Sequence, residues 1–232
     1  MRQFPVMIFA AGFGTRMGTL TRDTPKPLLA VAGKALLDHA LDLTATAPIS
    51  RVVVNAHYHA DQIARHLSGK NVALSREAET ILETGGGLKA AMPLLGDSPV
   101  ITLNSDAVWT GGNPLRELAA GWNPDRMDAL LLLAPIFATR GFTGTGDFLM
   151  DREGRLIRAK GHTGFAYLGA QILRTDGLAK IPQPVFSLNI LWDRMIAAGR
   201  AFGLIHDGGW CDVGRPEGIA EAEALLGWQS GG

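Results

Sequence analysis

Val6-Met7-Ile8-Phe9-Ala10 is a continuous apolar run that passes straight into Ala11-Gly12-Phe13-Gly14 and then a helix-like stretch. A run this short and this uninterrupted suits a strand buried on both faces, as in a parallel sheet. The pattern then recurs along the chain. Leu36 to Thr46 reads as a helix, Arg51 to Asn55 as a strand, Ala60 to Leu67 as a helix and Val72 to Ser75 as a strand. Gly86 to Leu94 is a further helix, and Val100 to Asn104 another buried strand. Alternating strands and helices with short links imply an α/β fold, Rossmann-like, whose mostly parallel sheet is flanked by helices and takes ligands at the carboxyl ends of its strands.

Beyond residue 110 the pattern loosens towards α+β. Asn113 to Ala120 reads as a helix, Ala129 to Phe137 as a core strand, and Gly141 to Gly146 as a loop. Phe148 to Met150 and Arg155 to Arg158 form a predicted hairpin, and Phe165 to Leu173 is a strand. A helix over Ser187 to Ala198, a strand over Phe202 to His206 and a helix over Glu217 to Leu225 close the chain. No repeat or linker interrupts it, so a single domain over residues 1–232 is expected.

Composition narrows the partners. Twenty-two basic residues balance twenty-two acidic ones, so no global field draws the chain to nucleic acid or an anionic membrane, and any phosphate must be held locally. The longest apolar runs fall far short of a membrane span, and the start lacks a secretory signal pattern. Cys211 is the only cysteine, which excludes an intrachain disulfide and fits a reducing compartment. A soluble cytoplasmic protein, monomeric or a small homo-oligomer, is the expectation.

Gly12 and Gly14 remove side chains where the backbone turns after the first strand, leaving N–H groups for an anion. A dinucleotide fingerprint wants a small residue where Met17 stands and an acid where Asn55-Ala56-His57 stands; a P-loop wants a Lys-Ser or Lys-Thr that is missing. A plain chain reversal remains open on the glycines alone. The residues that follow add weight to phosphate. Arg16 lies two positions past Gly14, and Thr24-Pro25-Lys26-Pro27-Leu28 sets one lysine between two prolines that restrict its backbone. A rigidly held cation suits a triphosphate.

Ala10-Ala11-Gly12-Phe13-Gly14-Thr15-Arg16-Met17 followed by Thr24-Pro25-Lys26-Pro27-Leu28 resembles the signature of the sugar nucleotidyltransferase family. The resemblance implies the nucleotidyltransferase fold, with residues 1–110 mainly binding nucleotide and 111–232 mainly binding sugar. It implies transfer of a nucleotidyl group from a nucleoside triphosphate to a sugar 1-phosphate. Ala11, Gly12, Gly14 and Thr15 would then cradle the triphosphate, with Arg16 and Lys26 stabilising its charge. Glu83-Thr84-Gly85-Gly86-Gly87 resembles the uridylyl-transferring members, which makes UTP the expected donor and Thr84, Gly85 and Gly86 the base-contacting segment. Glu77 is a weaker candidate for the same pocket.

Asp106 follows the buried run Val100 to Leu103, and Asp212 lies in Trp210-Cys211-Asp212-Val213-Gly214. Magnesium commonly uses one or two carboxylates together with substrate phosphates, so this pair is the expected Mg2+ site. The family pattern agrees, with Ser105 in place of the usual glycine before the first aspartate. Asn104, Gly146, Asp147 and Gly169 are the expected sugar contacts. Where the family often has Glu-Lys-Pro, this chain has Arg158-Ala159-Lys160-Gly161-His162, so Lys160 is the only lysine there for a sugar phosphate. The histidines His57, His59, His66 and His162 show no metal spacing.

Overall fold

The computed structural model describes residues 2–96 and 98–229. Its first half follows the expected alternation: β1 (Phe4–Phe9), a small hairpin of β2 (Ala30–Val31) and β3 (Lys34–Ala35), α1 (Leu36–Ala45), β4 (Ile49–Ala56), α2 (Ala60–Leu67), β5 (Ala73–Arg76), α3 (Glu83–Leu95), β6 (Val100–Asn104), β7 (Ala107–Trp109) and α4 (Pro114–Gly121). The second half adds β8 (Ala129–Pro135), β9 (Thr139–Arg140), β10 (Phe148–Met150), β11 (Leu156–Arg158), β12 (Phe165–Leu173), α5 (Asn189–Ala197), β13 (Ala201–Ile205), β14 (Trp210–Asp212) and α6 (Glu217–Leu225).

β5, β4, β1 and β6 run parallel, and β12 then joins β6 antiparallel, so the nine-stranded sheet is mixed but mostly parallel where it bears the glycine loop. β8 pairs antiparallel with β12 and parallel with β13, which carries the sheet through both halves of the chain. Alternation along β1 explains its uninterrupted apolar run. Val6 and Ile8 enter a core with α1, α2 and α4 residues, whereas Met7 enters a core on the other side with α3 and α5 residues.

α3 begins three residues earlier than the expected Gly86, because Glu83 takes a left-handed φ of 59° that turns the chain into the helix. The hairpin, the long strand β12 and the closing helix lie where the sequence placed them, within a residue or two.

Two strands of three residues were not anticipated. β7 and β14 pair antiparallel, and β14 also pairs parallel with β9, giving a separate three-stranded ribbon. Beneath it is a third, small core of Val31, Leu36, Val108, Cys211, Val213 and Ala222, which fastens α6 and the β2–β3 hairpin to the ribbon. This satellite layer carries Asp212 to the end of β6.

Candidate active site

The carboxyl ends of β1, β4 and β6 open onto a cleft of about 300 Å³. Ala11, Gly12, Gly14, Thr15, Arg16, Lys26, Asn104 and Asp106 all border it, so most of the residues singled out from sequence converge on one place. Gly14 adopts φ 65°, and a Cβ there would lie 2.9 Å from both Lys26 Cβ and Thr21 Cγ2. The loop can therefore close onto the lysine only through a glycine. Gly12 has nothing within 4 Å of an added Cβ, so its missing side chain leaves open space on the cleft side.

Lys26 is held as the flanking prolines imply. Pro25 is extended, Lys26–Leu28 forms a single 3₁₀ turn, and the lysine is only 8% exposed. Its Nζ donates to Asp106 Oδ2 at 2.7 Å. The stretch between the glycine loop and Lys26 is clasped by the turn into α2 and its first residues: the Tyr58 hydroxyl donates to the Thr21 and Arg22 carbonyls, and Gln62 Nε2 to that of Asp23. His57 and His59 likewise contact backbone carbonyls of Glu77 and Arg22, a structural use.

Asp106 lies between β6 and β7. Ser105, standing where the family has glycine, donates its hydroxyl to the Phe9 carbonyl at 2.6 Å and ties this turn to β1. Asp212 ends β14 opposite Ala107, and the Val213 amide donates to the Asp106 carbonyl at 2.8 Å. Strand pairing thus brings together two carboxylates more than a hundred positions apart. Burial first, and the neighbouring Asp106 charge second, push the Asp212 carboxyl up to about 6, against the pull of Lys26 and Arg16.

Gly214 was not singled out from sequence, although it stands in the quoted motif. A Cβ there would lie 2.7 Å from Asp212 Oδ2 and 3.0 Å from a terminal nitrogen of Arg16. Its bareness leaves room for both the guanidinium and the carboxylate beside it.

Asn55 and Glu77 also prove to be linked. Asn55 Oδ1 accepts from the Ala10 amide at 2.8 Å, and Asn55 Nδ2 donates to Glu77 Oε1 at 2.6 Å. Glu77 Oε2 accepts from the Leu82 amide at 2.7 Å. Glu77 borders the cleft, but both its oxygens are committed to holding the start of the glycine loop and the approach to α3 in register.

The base-contacting segment is corrected in part. Glu83 and Thr84 border the cleft. Gly85 and Gly86 do not; both amides donate to the Phe186 carbonyl, at 2.9 and 3.0 Å, and added Cβ atoms would strike Phe186 and Pro184. These glycines admit the 184–186 segment against α3, so their backbones are not free to read a base.

Of the expected sugar contacts, Asn104 borders the cleft and Gly169 packs against it, with φ 81° and an added Cβ 2.9 Å from the Asn104 side chain. Gly169 sits in the irregular stretch of β12 between Tyr167 and Gln171, a bulge that lets the two approach. Asp147 Oδ2 accepts from the Tyr167 amide at 2.8 Å, and Gly146 packs on Gly164, so both shape the entry to β12. Lys160 is exposed, with φ 47°.

Among the described residues, no group of three or more His, Cys, Asp or Glu is arranged to hold a metal. A closed protein cage is therefore not offered. Asp106 and Asp212 fit the other mode, in which a magnesium ion takes two carboxylates and completes its shell with water and substrate phosphates. An Asp212 carboxylate that is costly to ionise in isolation is consistent with a cation partner.

Residues 6–136 match the sequence profile of the MobA-like NTP transferase domain. The chain is 42% identical to N-acetylmuramate alpha-1-phosphate uridylyltransferase of Caulobacter vibrioides, over 97% of this chain and 99% of that one. It is 33% identical to the protein of the same name from Neisseria meningitidis serogroup B, over 95% and 97%. The crystal structure of HddC from Yersinia pseudotuberculosis superposes with a TM-score of 0.77 at 23% identity, over 97% of this chain and 100% of that one, and shows the same fold. With its glycine loop, Lys26 and Asp106 gathered at the carboxyl ends of the sheet strands and Asp212 brought beside them by β14, this chain belongs to the MobA-like NTP transferase family and is a sugar-1-phosphate nucleotidyltransferase.

Proposed function

We propose that this enzyme transfers a uridylyl group from UTP to N-acetylmuramate 1-phosphate, releasing pyrophosphate, in the cytoplasmic reuse of cell-wall sugars. The observation that carries the reading is the 42% identity to the Caulobacter uridylyltransferase across essentially the whole of both chains. The cleft supports it, because the charges such a transfer needs face one another there.

An oxygen of the sugar phosphate attacks the α-phosphorus of UTP in line with the leaving oxygen. One P–O bond forms as the bond to the β-phosphate bridge breaks, and pyrophosphate departs. The attacking phosphate is already anionic at neutral pH, so no general base is required; repulsion and alignment are the barriers. The amides of residues 11–15 face the triphosphate and fix its register. Arg16 and Lys26 offset charge on the phosphates, and Lys26 is held beside Asp106 so that its ammonium is in place before substrate arrives. Asp106 and Asp212 would hold magnesium, which when bound supplies charge neutralisation to the phosphates of both substrates. Asn104, packed on Gly169, faces the sugar end of the cleft.

A pyrophosphate-release screen of UTP, dTTP, CTP and GTP against N-acetylmuramate-, glucose-, N-acetylglucosamine- and mannose-1-phosphate tests the assignment. The optimum is expected at UTP with N-acetylmuramate 1-phosphate. A clear optimum at another pair overturns it.

A further inference from the structure

Gly12 and Gly14 border the reaction cleft, whereas Phe13 between them does not. Its side chain goes instead to the turn between β4 and α2. The Phe13 ring meets His57 edge to face, with centroids 5.5 Å apart and planes at 89°, and meets Tyr58 at 5.7 Å and 59°. At such separations aromatic rings attract each other through their quadrupoles, beyond the area they bury. Phe13 is nonetheless 44% exposed, so its ring adds little to the core.

Both partner rings are themselves fixed. His57 Nδ1 lies 2.6 Å from the Glu77 carbonyl oxygen, which makes that nitrogen the donor, and the Tyr58 hydroxyl donates to the Thr21 and Arg22 carbonyls at 3.0 Å. The loop that rests on them has few bonds of its own. The Gly14 carbonyl accepts from the Met17 amide at 2.9 Å and from the Thr21 hydroxyl at 3.1 Å. The amides of Gly12, Phe13 and Gly14 donate to no acceptor among the described residues. Amides kept for a phosphate cannot also secure the loop, and two glycines restrict its backbone little. Upstream, the Ala10 amide is held by Asn55. Between that amide and the Gly14 carbonyl, the largest side chain available to hold the loop is Phe13.

We propose that Phe13 is a positioning residue for the nucleoside triphosphate: docked on His57 and Tyr58, its ring holds the loop with the Gly12 to Gly14 amides open to the cleft before nucleotide arrives. Preorganisation of this kind shows as affinity, because order already present in the free protein need not be imposed on binding. The inference rests on the functional reading above only for the identity of the triphosphate.

The test measures kcat and the KM values for UTP and N-acetylmuramate 1-phosphate in the wild type, Phe13→Ala, Phe13→Leu and Phe13→Tyr, with hydrogen exchange of a peptide spanning the loop. Thermal melts verify that the variants fold. Phe13→Ala is expected to raise the KM for UTP about tenfold, the scale of two lost aromatic contacts, and that for the sugar phosphate by less than about twofold. Phe13→Leu, which keeps bulk without a ring, shows a similar rise, and Phe13→Tyr, which keeps the ring, recovers most of the loss. Without nucleotide the loop exchanges faster in Phe13→Ala than in the wild type, and saturating UTP brings the two together. An unchanged KM for UTP in Phe13→Ala and Phe13→Leu, an equal rise for both substrates, or loop exchange at the wild-type rate overturns the inference and leaves the functional reading intact. A wild type that prefers another triphosphate defeats the functional reading, and the same measurements with that triphosphate then decide the role of Phe13.

Discussion

Lys26 Nζ donates to Asp106 Oδ2 at 2.7 Å, joining residues eighty positions apart, and the lysine side chain is the more buried partner. The ammonium is thereby held against one of the two carboxylates proposed to hold magnesium. Lys26→Ala is expected to lower pyrophosphate release by about a hundredfold or more, the usual cost of removing a charge stabiliser from such a site. Lys26→Arg should not restore it, because a planar guanidinium does not reproduce the compact, buried ammonium that donates to Asp106. Steady-state kinetics on folded variants decides; near-normal turnover in Lys26→Ala removes the lysine from the reaction.

Asp212 predicts a pH signature. Its carboxyl is pushed up to about 6 from an ordinary value of 3.8, so folding favours the protonated form. The stability this contributes is whole below the ordinary value and is lost as pH rises through about 6. In metal-free protein, the melting temperature should therefore fall between pH 5 and pH 7.5 by an amount that Asp212→Asn diminishes. Magnesium acts in the opposite sense, since it requires the ionised carboxylate: its stabilising effect should grow over the same interval and be much reduced in Asp212→Asn. A magnesium effect equal at both pH values contradicts the assignment.

Gly12 and Gly14 should separate under the same substitution. Gly14→Ala forces a left-handed backbone on alanine and presses Cβ towards Lys26 and Thr21, so a loss of about 1–2 kcal/mol in urea unfolding is expected, with activity falling too. Gly12→Ala meets no neighbour in the free protein, so stability should stay within about 0.5 kcal/mol while the KM for nucleotide rises at least about tenfold. Equal destabilisation of the two variants would refute this division.

The Asn55–Glu77 pair supports the loop from behind. Asn55→Leu strands the Ala10 amide and one oxygen of a buried carboxylate, a change expected to cost about 2–3 kcal/mol. Chemical denaturation measures it, and a loss below about 0.5 kcal/mol would show that the network is dispensable.

How far the chain could be read depended on the range of each signal. β1, the glycine loop and the proline-flanked Lys26 are written in contiguous residues, where burial on two faces and restricted backbone angles leave a local trace. The β7–β14 pairing leaves none: its strands are three residues long, and their partners are separated by a hundred positions. Asp106 and Asp212 were each visible as carboxylates in unusual company, but the reason they meet was not. Gly85 and Gly86 show the opposite error. Glycine marks a close approach without saying by whom, and the approaching group is the Pro184–Phe186 segment of the chain itself. Asn55 was legible as a polar residue at a strand end, whereas its bond to Glu77 depended on β4 and β5 lying side by side.

The satellite ribbon has a consequence in time. Arg16 and Lys26, proposed to grip the triphosphate, leave the ribosome early, and Asp106 follows well before Asp212. Asp212 comes last and takes its place only when β14 has found β7 and α6 has closed over Val31 and Val213. A chain still lacking β14 carries Arg16, Lys26 and Asp106 without the second carboxylate. The second carboxylate is thus placed by long-range pairing, so the proposed transfer is sensitive to anything that loosens β14 from β7.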